Sequence, residues 1–153
     1  MSSLTPIRFQ LTDLDTIATA EGRVVVIVPS EGKMDPATRR VNRLTKGAVA
    51  RLIASENIAK AKPGQVITLA WPVGMAAEAL DILVLPRRVD DATARKAGAS
   101  LAKVHGDKTL HLMAGSQNRI EQIALGLQLR SYRFDAHKTA DADAVGAVVI
   151  SHS

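Results

Sequence analysis

The sequence predicts an α/β sandwich: a mixed, mostly parallel sheet flanked by helices. Three observations predict it. Val24 to Val28 is an unbroken β-branched run, the composition of a strand buried on both faces. Strand-like and helix-like patterns then alternate, giving the order β-β-α-β-β-α-β-α-β. Finally, no internal repeat, low-complexity tract or linker divides the 153 residues, a length that suits one domain.

The elements follow in order. Ile7 to Thr12 alternates, with Ile7, Phe9 and Leu11 on one face. Asp13 to Gly22 is a polar connection with room for one helical turn. Arg23 to Pro29 is the buried strand. Asp35 then supplies a side-chain acceptor for free first-turn amides, and Pro36 supplies a preset φ, so a first helix starts here. Ala37, Val41, Leu44, Ala48 and Leu52 recur at helical spacing and form its core face. Arg39, Arg43 and Lys46 fall opposite, and Gly47 reads as a mid-helix position suited to close approach of a neighbour. Lys60 to Gly64 is a turn. Gln65 to Trp71 and Leu80 to Leu85 are apolar runs separated by Pro72-Val-Gly-Met, a broken hairpin. Asp90 or Asp91 caps a second helix that runs to His105 and stops at Gly106. Its Ala94, Ala97, Gly98 and Ala102 favour close packing on the sheet. Thr109 to Met113 is the next strand. Asn118 and Glu121 have capping-box spacing ahead of a third helix, whose stripe is Ile120, Ile123, Ala124 and Leu127. An acidic turn, Asp141-Ala-Asp143, precedes a last strand, Val145 to Ile150.

Composition narrows the function classes. With 46% hydrophobic and 23% charged residues, the chain has an ordinary soluble make-up. It has no cysteine, which excludes disulfides and thiolate metal sites. No stretch approaches the roughly 18 apolar residues of a membrane span, so no membrane partner is expected. The N-terminus has no basic region followed by an apolar core, which leaves the cytoplasm as the default location. The net charge of +5 permits anion binding without demanding it.

Catalytic motifs are absent. His105, His111, His137 and His152 show no ligand spacing, and Asp141 with Asp143 is too sparse for a calcium loop. Ser116 lacks a nucleophile-elbow context and reads as a turn or cap serine. The loops Ser30-Glu-Gly-Lys33 and Ala114-Gly-Ser116 hold one glycine each, short of a phosphate cradle. Lys33 could meet an anion near a helix start. Lys33 to Lys62 holds eight Lys or Arg against Asp35 and Glu56. That makes Arg39, Arg43 and Lys46 the candidate contacts to duplex DNA, with Arg87 and Arg88 as a second basic pair. A solvated face is the plainer reading, and with 3% aromatics there are too few rings for base stacking.

One stretch is specific. Gly126-Leu-Gln-Leu-Arg-Ser-Tyr-Arg-Phe-Asp-Ala-His-Lys-Thr139 begins as an apolar-faced helix and ends as a polar exit. It contains Tyr132 and Phe134, two of the four aromatic residues in the chain. Its pattern, through Gly126, Leu129, Tyr132, Arg133, Phe134, Asp135 and Lys138, resembles the end of the N-terminal domain of the leucyl (cytosol) aminopeptidases. Arg130 stands where that family usually has a small residue, and His137 where an aromatic is common. These motif residues are expected to be structural, with Tyr132 and Phe134 anchoring the helix end in the core.

The Pro63-Gly64 turn, the strand near Leu80 and the helix after Asp91 extend the resemblance over most of the chain. It implies a fold like the macro domains and a non-catalytic accessory domain spanning residues 1–153. It also implies a longer parent: a cytoplasmic hexamer whose separate peptidase domain holds two divalent ions, zinc or manganese, and is this domain's partner. No cofactor is expected in this chain itself. Some bacterial members also bind DNA, so a duplex-binding module is one alternative, and a macro-type small-ligand module is the other.

Overall fold

A computed structural model describes residues 6–29, 33–136 and 146–153, with the side chains of residues 131–136 outside the description. Its strands are β1 (Ile7–Leu11), β2 (Arg23–Val28), β3 (Val66–Ala70), β4 (Ala79–Val84), β5 (Leu110–Gly115) and β6 (Val148–His152). Its helices are α1 (Pro36–Leu44), α2 (Ala48–Ile53), α3 (Glu56–Ala59), α4 (Asp91–His105) and α5 (Ile120–Ala136), with a 3-10 turn at Leu14–Thr16. The strands form one six-stranded sheet in the order β1-β6-β5-β2-β4-β3. All pairings are parallel except that of β3 with β4. The mixed, mostly parallel sandwich expected from the sequence is the observed architecture.

β2 lies at the centre because both of its faces are apolar. Val24, Val26 and Val28 face a layer with Val41, Val49 and Ile58 of α1 to α3. Val25 and Ile27 face the opposite layer, with Ala97 and Leu101 of α4 and Ile123 and Leu127 of α5. Strand alternation thus divides the core into two layers, one on each side of the sheet.

The first helix differs from its expected form. It ends at Leu44, and Thr45 to Gly47 turn before α2 begins. Gly47 has φ +87° and heads α2, so it is a break and not a mid-helix contact point. Lys46 is left-handed as well, at φ 56°. Asn42 bridges the break: its carbonyl accepts from Gly47 N–H (2.8 Å), and its Oδ1 accepts from Ala50 N–H (2.8 Å).

Other elements follow their signals more closely. Asp35 Oδ1 accepts from Thr38 N–H at 2.8 Å and caps α1. Asp90 Oδ1 accepts from Thr93 N–H at 2.8 Å and caps α4, which stops at Gly106. β3 and β4 form the expected hairpin. The Asn118 and Glu121 capping box is not formed. α5 starts at Ile120, one residue later than that box requires, and Asn118 bonds backbone instead. Its Oδ1 accepts from Val89 N–H (3.0 Å), its amide donates to the Val89 carbonyl (3.2 Å), and its own N–H donates to the Arg87 carbonyl.

The small residues of α4 serve two partners. Ala94 and Ala97 join the layer against the sheet, whereas Gly98 abuts α5. A Cβ on Gly98 would run into the Ile123 carbonyl oxygen, and a Cβ on Gly126 would run into that of Arg95. Each helix therefore lends the other a glycine at the crossing. This gives Gly126 of the sequence motif a physical reason.

Candidate functional site: the crevice between β2 and β5

The sheet order sends the chain from β2 outward to β4 on one side and later to β5 on the other. The segment leaving β2 leads to α1 on one face, and that leaving β5 leads to α5 on the opposite face. They part at the C-terminal strand ends, and this switch point is where open α/β sheets place ligand crevices.

Ile27, Leu85 and Ala114 form the apolar floor of the crevice, and Lys33, Asp35, Arg87, Ser116 and Gln117 form its rim. Lys33 and Arg87 are exposed, whereas Gln117 is buried. Arg87 Nη1 donates to Ser116 Oγ at 3.3 Å. Gln117 Nε2 donates to the Pro86 and Arg87 carbonyls at 2.9 and 3.0 Å. With the Asn118 bonds to Val89, these contacts tie the loop after β4 to the loop after β5. The remaining cavity is about 20 Å³, room for one water, where a cavity needs roughly 10–15 Å³ to hold one. Small-molecule pockets run from about 300 Å³ upward. Among the described residues the rim has two cations and a capping carboxylate, but no nucleophile beside a base.

The described histidines do not converge. His105 ends α4, His111 lies early in β5 and His152 ends β6; His137 lies outside the described residues. Burial pushes the His105 pKa down, opposed by the backbone at Lys108 and Ala147 and reinforced by Arg23. That opposition is partial, since neither ring nitrogen has a hydrogen-bond partner among the described residues. Burial also lowers the His111 pKa, against the contact of its Nε2 with the Glu21 carbonyl at 3.0 Å. Five carboxylates are engaged elsewhere: Asp35 and Asp90 cap helices, Asp81 pairs with Arg23, Asp91 with Arg119 and Glu56 with Lys60. Among the described residues no group of three His, Asp or Glu could hold a metal, so this donor set does not fit a two-metal centre.

The basic candidates separate. Arg39 and Arg43 are exposed on α1. Lys46 is exposed beyond the helix end, so it does not continue their face, and its carbonyl accepts from Arg51 Nη1. Arg87 lies at the crevice, and its exposed neighbour Arg88 follows it in the loop after β4. Of the motif residues, Gly126 is buried and Leu129 is 46% exposed. Arg130 is exposed. The backbone from Tyr132 to Asp135 continues α5; their side chains, and Lys138 with the Asp141 turn, lie outside the description.

Sequence reading missed two features. Asp81, inside an apolar run, is fully buried and held by Arg23 Nε at 3.0 Å and Nη2 at 2.8 Å, with Thr68 donating as well. An acidic residue amid apolar neighbours was the available signal. Trp71, 74% exposed in a left-handed conformation at φ 51°, gave none.

This arrangement defines a macrodomain-like α/β domain. A Trypanosoma brucei macrodomain in complex with ADP-ribose matches with a TM-score of 0.64 at 13% identity, over 97% of this chain and 68% of that one. A mutant of tomato leucine aminopeptidase matches with a TM-score of 0.63 at 14% identity, over 100% of this chain and 34% of that one. In sequence, residues 24–141 match the model of the cytosol aminopeptidase family, N-terminal domain. Two proteins described as probable cytosol aminopeptidases, from Dinoroseobacter shibae and Cereibacter sphaeroides, are each 40% identical over 150 residues. That is 98% of this chain but 31% of either relative. The chain belongs to the cytosol aminopeptidase family, as its N-terminal domain.

Proposed function

We propose that residues 1–153 act as one non-catalytic accessory domain of a longer aminopeptidase, assisting its assembly or regulation. The observation that carries this reading is the match to the family's N-terminal domain, with 98% of this chain aligned to only 31% of either relative. On this reading the partner is the parent's peptidase domain. That domain carries the metal chemistry, with two zinc or manganese ions, and releases N-terminal amino acids. The parent is a hexamer in the cytoplasm, in keeping with the name cytosol aminopeptidase borne by the relatives. Among the described residues no helix is long and apolar enough to cross a membrane. Tyr132, Arg133, Phe134, Asp135 and Lys138 serve the stability of the helix end.

The small-ligand reading has less support, because the switch-point crevice has room for about one water. Direct assay tests the proposal. The purified chain, given a leucine anilide with added manganese or zinc, is expected to match the buffer blank. Turnover that copurifies with the chain and scales with its concentration would contradict a non-catalytic role.

A further inference from the structure

At the C-terminal end of the strands, a groove opens between β1, β6 and the start of α1. Leu11, Leu14, Pro36 and Ala37 give it apolar walls, Ser153 lines it, and its volume is about 390 Å³. Leu11 is 72% exposed, although most large apolar side chains of the sheet are covered. The groove shares Leu14 and Pro36 with a second cleft of about 250 Å³, lined by Arg39, Arg40, Arg43 and Asp15. The three arginines form no ion pair among the described residues. Arg40 Nε is shut off from solvent without a hydrogen-bond acceptor among the described residues, a state that buried N–H groups seldom keep.

We propose that this double groove seats the polypeptide that follows the domain in a full-length aminopeptidase. Apolar side chains of that segment pack on Leu11, Leu14 and Pro36, and its carboxylates meet Arg39, Arg40 and Arg43. The proposal rests on reading the chain as an N-terminal domain. Placement favours this occupant, since His152 and Ser153, at the end of β6, line the groove, and the relatives extend well beyond the matched part. The Ser153 N–H donates to the Gly115 carbonyl at 3.0 Å, which fixes the exit beside α1. Length agrees: the relatives are about three times as long as the matched part, which is the family's N-terminal domain. Chemistry agrees too. A nucleic-acid backbone would satisfy the arginines but has nothing apolar to fill the groove, whereas a protein segment supplies both.

Hydrogen exchange, read by mass spectrometry, tests the assignment. The chain alone is compared with the same chain joined to the remaining two-thirds of the Dinoroseobacter shibae relative. Exchange over residues 12–16 and 39–43 is expected to slow by about tenfold or more in the joined protein, while residues 66–70 stay unchanged. Slowing confined to the Trp71 hairpin, or to Leu125 and Leu129 on α5, overturns the groove and leaves the accessory-domain reading standing. No slowing anywhere overturns both the groove and the accessory role. If the joined protein does not fold, the soluble, lighter species of the remainder is separated from any aggregate and titrated into the chain. The Arg39→Glu, Arg43→Glu variant should then bind about tenfold more weakly or worse, and unchanged affinity overturns the groove. A generic DNA duplex held at physiological salt and released by the same variant would assign the arginines to nucleic acid instead.

Discussion

A full charge lies inside the sheet at Asp81, with its carboxylate fully buried and the Arg23 side chain 17% exposed. Removing one member of such a pair strands the other, so Asp81→Ala should cost about 3–5 kcal/mol. An Arg23→Met, Asp81→Leu double variant, with apolar groups of similar size, should recover most of that loss. Chemical denaturation of the three proteins checks both expectations, and a double variant as weak as the single one would contradict them. His105 and His111 carry the pH dependence. Burial lowers both pKa values from 6.5, so the unfolded chain takes up protons that the folded chain resists. Their contribution is fully present above about pH 6.5 and is lost as pH falls through the lowered folded values. The denaturation midpoint should therefore drop between about pH 8 and 5.5, a range above ordinary carboxylate titration. A midpoint that stays level or rises would show that neither ring resists protonation. The partner of Asp81 was not legible in sequence, because a buried ion pair depends on which strands lie side by side. Asp81 meets Arg23 only because β4 pairs with β2.

The α4 and α5 pair is joined by reciprocal glycines at the element scale. Neither Gly98 nor Gly126 has space for a methyl group, since each faces backbone of the other helix. Gly98→Ala and Gly126→Ala should each cost about 1–3 kcal/mol or more by overpacking. Thermal denaturation would show it, and a loss below about 0.5 kcal/mol would mean that the helices separate easily. Sequence spacing found both helices and their small residues, yet not that Gly98 meets a helix while Ala94 and Ala97 meet the sheet. Periodicity marks a face without saying what lies against it. The strands were legible from composition, β2 above all. The first helix was read as too long, because Ala48 and Leu52 continue its apolar period across the break. The break is set by Gly47, and by Asn42 Oδ1 capping the next helix. Asn118 misled in a similar way: its spacing to Glu121 fits a capping box, but the Val89 backbone takes its side chain.

For the whole molecule, the sandwich presents at one end a nearly filled crevice and, beside it, an open groove whose arginines form no ion pair among the described residues. The family was legible in sequence through the motif from Gly126 to Thr139, while its structural cause at Gly126 required the packed helices. The crevice was only half legible. Lys33 and Ser116 could be placed on loops, but the Gln117 bonds that narrow it join loops far apart in sequence. On the proposed function, this domain works by supporting a separate peptidase domain. Sedimentation of the remaining two-thirds of the Dinoroseobacter shibae aminopeptidase, with and without this chain joined ahead of it, tests that claim most directly. With the chain, the account predicts one large symmetric assembly that hydrolyses a leucine anilide. Without it, the account predicts lighter or aggregated species and lower activity. Identical assemblies of equal activity in both forms would contradict it.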